Sequence, residues 1–89
     1  MKIVYKPIGP VVSDIALEKP VEFNSIRRML EYVIKDYKKY GVVIQGKDRL
    51  YISYYGCDEE AGQDAYLIIA EIPNRDGWTI VGQCTIEED

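Results

Sequence analysis

The clearest pattern of hydrophobic and polar positions lies between residues 24 and 41. From Ile26 onward, apolar residues recur at intervals of three and four, which is the spacing of one helical stripe. The members of the stripe after Ile26 are Met29, Leu30, Val33, Ile34, Tyr37 and Tyr40. Asn24 or Ser25 can serve as the N-cap, and Gly41 stands where a left-handed residue ends a helix. The pattern predicts one amphipathic helix.

Short β-branched and alternating runs follow this helix. Val42–Ile44 and Leu50–Tyr55, separated by the turn residues Gln45–Asp48, predict a hairpin. In the second run, Tyr51, Ser53 and Tyr55 share one face and Leu50, Ile52 and Tyr54 share the other. The polar stretch Gly56–Asp64 is expected to be a loop.

Two longer strands are predicted towards the C-terminus. Ala65–Ile72 is almost continuously apolar and indicates a central strand, and Asn74–Gly77 indicates a tight turn. Strict alternation over Trp78–Ile86 sets Trp78, Ile80, Cys84 and Ile86 against Thr79, Val81, Gln83 and Thr85. Gly82 indicates a bulge or a close packing contact within this strand.

Together these elements predict an α+β fold in one compact domain, residues 1–89. The expected order is β-α-β-β-β, with the amphipathic helix on one face of a mainly antiparallel sheet of three to five strands. Ile3–Tyr5 begins the sheet, and residues 7–23 form an irregular arm or include one short strand. One helix covers only one face, so the second face needs the arm, a second copy or another protein as its cover.

Charge and composition narrow the class of protein. The chain has 47% hydrophobic residues and a formal net charge of −4, which indicates a folded acidic protein and argues against binding to double-stranded nucleic acid. No long apolar run predicts a membrane span, and Met1–Pro10 does not resemble a signal peptide. We therefore expect a cytoplasmic protein with Cys57 and Cys84 reduced.

Candidate chemistry is sparse. The absence of histidine removes the commonest general base and metal ligand, and the two cysteines form no Cys-x-x-Cys pair. We predict no catalytic residue, no cofactor and no metal site. Asp58, Glu59, Glu60 and Asp64 could hold a hard divalent cation, but their spacing does not match a calcium-binding loop.

Tyrosine is the most suggestive residue type, with 8 among 89 residues. Tyrosine suits interfaces because it joins an apolar ring to a hydroxyl group. We therefore predict a noncatalytic protein-binding module, such as an adaptor, inhibitor or small subunit, whose simplest form is a homodimer. Its candidate anchors are Tyr51, Tyr55 and Tyr32. Either the locally cationic helix, with Arg28 and Lys35, or the acidic loop that contains Asp58 and Asp64 would orient the partner.

Two alternatives remain open. The first is a small enzyme that uses carboxylates and tyrosine with a hard divalent cation. The second is a single-stranded nucleic-acid binder whose sheet aromatics stack on bases.

Overall fold

A computed structural model describes residues 1–58, 62–73 and 77–88 of the chain. Its strands are β1 (Lys2–Pro7), β2 (Val21–Phe23), β3 (Leu50–Asp58), β4 (Gln63–Glu71) and β5 (Trp78–Glu87), and its helix is α1 (Ile26–Lys39). Short 3₁₀ helices occupy Ser13–Leu17 and Lys47–Arg49. The strands form one antiparallel sheet in the order β2-β1-β5-β4-β3, which confirms the predicted α+β class.

The predicted helix is confirmed, and its ends have the expected physical causes. The Ser25 hydroxyl accepts a hydrogen bond of 3.1 Å from the backbone N–H of Arg28, so Ser25 is the N-cap. Gly41 follows the helix with a φ of +81°, a conformation that glycine adopts without steric cost. Met29, Val33 and Tyr37 bury the apolar stripe against the sheet.

The hairpin predicted at residues 42–55 is wrong, because Val42–Ile44 is not a strand. The Val42 N–H donates to the Tyr37 carbonyl at 3.0 Å and so helps to close the end of α1. Ile44 is only 4% exposed and packs into the core without strand pairing. The apolar residues of this run indicate burial, but a loop that packs against the core has the same pattern as a buried β-strand.

Two further features differ from expectation, and a third is not described. The predicted loop Gly56–Asp64 is strand at both ends, because β3 continues to Asp58 and β4 begins at Gln63. The short strand β2 precedes α1 and pairs with β1, which makes the order β-β-α-β-β-β. Of the predicted turn Asn74–Gly77, residues 74–76 lie outside the described residues.

A bulge in β5 reverses the faces predicted for its first residues. Ile68 pairs with Gly82 and Ile69 pairs with Ile80, so Val81 is an extra residue in the ladder. Val81 is fully buried, whereas Trp78 and Ile80 are 56% and 39% exposed. Strict alternation placed Trp78 and Ile80 with buried Cys84; the extra residue moves them to the opposite face.

The core lies between α1 and one face of the sheet. Ile3, Tyr5, Ile68, Ala70 and Cys84 project from the sheet into this buried layer. The segment before β2 packs on the same side, since Ile15 is fully buried in the core. The Tyr37 hydroxyl also donates to the Ile8 carbonyl at 2.8 Å. The N-terminal arm therefore packs beside α1, and the opposite face of the sheet, called here the open face, lacks a helical layer in the described structure.

Candidate functional site

Three strands contribute an apolar cluster to the open face. The register aligns Tyr51 of β3, Ile69 of β4 and Ile80 of β5 in one row across the sheet. Trp78 enters from β5 beside this row, and its ring centroid lies 4.4 Å from that of Tyr51, at an interplanar angle of 85°. We call Tyr51, Ile69, Trp78 and Ile80 the aromatic patch.

The two rings of the aromatic patch meet above β4. Neighbouring strands are about 4.8 Å apart, so β3 and β5 are separated by roughly 10 Å. Rings with centroids 4.4 Å apart must therefore lean towards each other over the intervening strand. Their edge-to-face geometry is favourable. Even so, Tyr51 stays 43% exposed and Trp78 56% exposed.

A groove of about 740 Å³ continues the open face towards β1. Val4 and Ala65 contribute apolar side chains to it, and Tyr55 and Pro20 also line it. Tyr55 is the extra residue of a bulge in β3, because Tyr54 pairs with Tyr66 while Gly56 pairs with Ala65. The bulge leaves the Tyr55 side chain 73% exposed beside the groove.

Charges of both signs surround these apolar features. Lys2 pairs with Glu22 at 4.0 Å on the β1–β2 side, and Arg49 donates to Glu71 at 3.0 Å beside the aromatic patch. The Glu71 carboxylate raises the pKa of Arg49. An apolar centre with a rim of mixed charge is the usual anatomy of a protein interface.

The structure brings together only some of the residues predicted as binding anchors. Tyr51 and Tyr55 both lie on the open face. Tyr32 lies on the helix side, where its ring centroid is 5.2 Å from Phe23 and 6.1 Å from Tyr5. Arg28 and Lys35 are exposed on α1, on that same side of the sheet. The open face therefore holds two of the three predicted tyrosines and neither cation.

The alternative cation site falls largely outside the described residues. Glu59 and Glu60 are among the residues not described, and the side chain of Asp58 is not described either. Asp64 is exposed on β4, with Oδ1 3.5 Å from the Tyr54 hydroxyl. In residues 1–58, 62–73 and 77–88, no group of three or more Cys, Asp or Glu side chains could hold a metal ion.

Sequence reasoning missed two features. Strict alternation grouped Trp78 and Ile80 with Cys84, and only the extra residue at Val81 places them on the open face; Gly82 was the sign of that bulge in the sequence. The helix was predicted to be locally cationic, and the burial of its Asp36, which is only 1% exposed, was not predicted. Its spacing from Met29 and Val33 places it on the buried side of α1, and this spacing could have revealed it.

Comparisons with protein-family models, curated proteins and solved structures found no match to this chain. None of the helices within the described residues is long and apolar enough to span a membrane.

Proposed function

We propose that the chain is a noncatalytic protein-binding module, and that the open face of its sheet is the binding surface. The aromatic patch carries this proposal. Trp78, Tyr51 and Ile80 are 56%, 43% and 39% exposed although they adjoin one another across three strands. Adjoining exposed apolar side chains with a polar rim are typical of surfaces that bind another protein. Aromatic residues are also the commonest anchors of such surfaces.

A second copy of the chain is the occupant that best fits this face. Strands of 6, 3, 9, 9 and 10 residues, at about 3.3 Å rise and about 4.8 Å spacing, give a face of roughly 590 Å². Stable interfaces bury about 600–1,000 Å² per partner, so one open face matches the lower end of the size that a dimer requires. The mixed charges of the rim can pair across a two-fold axis, since each copy supplies both lysine and glutamate.

In such a dimer the two sheets would stack face to face. Packed sheets lie about 10 Å apart and interdigitate their side chains, which suits the projecting rings of Tyr51 and Trp78. Each copy would supply the second cover that a sheet with one helical layer requires. As an adaptor or small subunit, the module would work in the cytoplasm and without a cofactor.

Sedimentation velocity across the micromolar to millimolar range tests this proposal. We expect the mass to rise with concentration from 10.2 kDa towards twice that value. Ile80→Lys should keep the protein monomeric, because it buries a charge without a partner in the apolar centre of the interface.

Val43→Lys is the matched control. Val43 is 60% exposed in the loop after α1, so the same change of charge should leave self-association unaltered. A wild-type protein that stays monomeric throughout the range would contradict the proposed dimer. Equal effects of the two lysine variants would place the interface elsewhere than the open face.

A further inference from the structure

On the helix side, a buried carboxylate faces the N-terminal arm. Asp36 is 1% exposed, and neither of its carboxylate oxygens accepts a hydrogen bond in favourable geometry. Lys39 Nζ forms an ion pair with Asp36 Oδ1 at 3.0 Å, but the lysine side chain itself is 67% exposed. Burial of a carboxylate that has one ion pair and no hydrogen bond is energetically unfavourable. The groups that surround Asp36 should therefore explain why it is buried.

Glu18 of the arm brings a second carboxylate to the same place. Its Oε1 accepts a hydrogen bond of 2.7 Å from the Tyr40 hydroxyl and lies 4.0 Å from Lys39 Nζ. The same Nζ lies 3.0 Å from Asp36 Oδ1, so Lys39 brings the carboxyl groups of Glu18 and Asp36 close together. Two ionised carboxylates offer only acceptors, so this contact is attractive only when one of them carries a proton.

We propose that Glu18 carries a proton when the N-terminal arm is closed and that, together with Asp36 and Lys39, it forms a latch that fastens the arm to α1. In the closed latch, the Glu18 carboxyl group donates an O–H···O hydrogen bond to the Asp36 carboxylate. One carboxylate and one ammonium group then remain, and their charges balance. Loss of the proton to solvent leaves two carboxylates against one lysine, and their repulsion loosens the arm.

The tyrosines around the latch supply no positive charge that would compensate for a second carboxylate. Tyr32 and Tyr37 of α1 and Tyr5 of β1 face Asp36, and the carboxylate adds to the burial that raises the pKa of each tyrosine. They therefore stay neutral and supply no compensating charge. Lys39 is the cation in direct contact with both carboxylates in the described structure. Lys35 borders the adjacent cavity, which Tyr32, Asp36 and Lys39 also line.

The direction of the pH dependence follows from Glu18. The neighbouring Asp36 carboxylate raises the pKa of Glu18 above its ordinary value, and Tyr40 and Lys39 oppose this shift only in part. An acid whose pKa is raised in the closed state favours closure at low pH. Closure of the arm onto α1 therefore weakens as the pH rises through the raised pKa of Glu18.

Amide hydrogen exchange measured by NMR at a series of pH values tests the latch. The Ile15 and Glu18 amides report on the arm, because they donate to Val12 O and Ile15 O at 3.2 and 3.0 Å. Relative to amides of β4, their protection should fall severalfold as the pH rises from about 4 to about 8, the range in which a glutamate with a raised pKa loses its proton.

Two variants make the outcome decisive. Glu18→Gln should remove the pH transition and keep the arm protected, because the glutamine amide can donate permanently to Asp36. Asp14→Asn removes an exposed carboxylate from the 3₁₀ helix Ser13–Leu17, which directly precedes Glu18, and should leave the transition in place. Wild-type protection that does not change with pH would overturn the proposal. A transition that persists in Glu18→Gln, or an arm that this variant leaves unprotected at every pH, would also overturn it.

Discussion

The ring of Tyr5 packs directly onto Gly82, so closely that a β-carbon at residue 82 would collide with the ring. The Tyr5 hydroxyl reaches past this glycine and donates to the Val81 carbonyl at 3.2 Å. Val81 is the extra residue of the β5 bulge. The contact between Tyr5 and Gly82 therefore lies beside the bulge that sends Trp78 and Ile80 to the open face.

Replacing Gly82 by alanine should destabilise the protein. The new methyl group must displace the buried Tyr5 ring, and overpacking of this kind costs about 1–3 kcal/mol. Urea unfolding followed by circular dichroism would measure the loss. A second substitution, Tyr5→Leu, should add less to this loss than it costs alone, because the two side chains compete for one space. Strict additivity would show that no such clash exists.

Removal of the Tyr37 hydroxyl should cost more stability than removal of the Tyr5 hydroxyl. Tyr37 lies within hydrogen-bonding distance of the carbonyls of Ile8 and Val81, at 2.8 and 3.1 Å. In Tyr5→Phe, Val81 O keeps the Ile8 N–H as a donor at 3.1 Å, so we expect a loss of about 0.5–1.5 kcal/mol.

In Tyr37→Phe, the Ile8 carbonyl loses its hydroxyl donor, and the loss should approach about 1–3 kcal/mol. The same unfolding measurement compares the two variants. A larger effect of Tyr5→Phe would mean that Tyr37 does not tie the arm to the core.

The ring contact between Tyr51 and Trp78 should appear as a coupling energy. A double-mutant cycle of Tyr51→Ala and Trp78→Ala should give about 0.5–1.5 kcal/mol, the usual value for an edge-to-face aromatic pair. The protein should be studied at a concentration where it is monomeric. The cycle of Tyr55→Ala with Trp78→Ala is the control, because Tyr55 lines the groove instead of the aromatic patch. Its coupling should be close to zero.

The two cysteines should react with iodoacetamide in a fixed order. Burial raises the pKa of the Cys84 thiol to about 11, whereas Cys57 is exposed on β3. At mildly alkaline pH only Cys57 should be alkylated in the folded protein, and Cys84 should follow on unfolding. Mass spectrometry of tryptic peptides would distinguish the two sites. Equal labelling of both thiols in the native state would contradict the burial of Cys84.

The raised pKa of Cys84 also has a consequence for stability at high pH. The thiol ionises more readily in the unfolded chain than in the folded one. Its contribution to stability is therefore complete below the unfolded pKa and is lost as the pH rises through about 11. In Cys84→Ala, the protein should lose less stability as the pH rises than the wild type does. Melting temperatures measured at increasing pH would show this difference.

Local sequence was enough to predict α1, since its apolar stripe, its N-cap Ser25 and its terminal Gly41 all act within a few residues of the helix. It also predicted that β4 presents apolar residues to both faces of the sheet. The hairpin at Val42–Ile44 failed because burial of Ile44 in a loop gives the same local pattern as a strand. Of the candidate site, Tyr51 and Tyr55 were placed on one face by simple alternation.

Sequence alone therefore determined the α+β class and the amphipathic helix, because periodicity is a local property of the chain. Tertiary structure decided which residues occupy that face. The bulge at Val81 lies beside the contact between Tyr5 and Gly82, which are 77 positions apart. It likewise decided that Lys39 lies near both Asp36 and Glu18, since an arm and a helix come together only when the core forms. Contacts between distant segments have no counterpart in a local pattern, and both proposed sites depend on them.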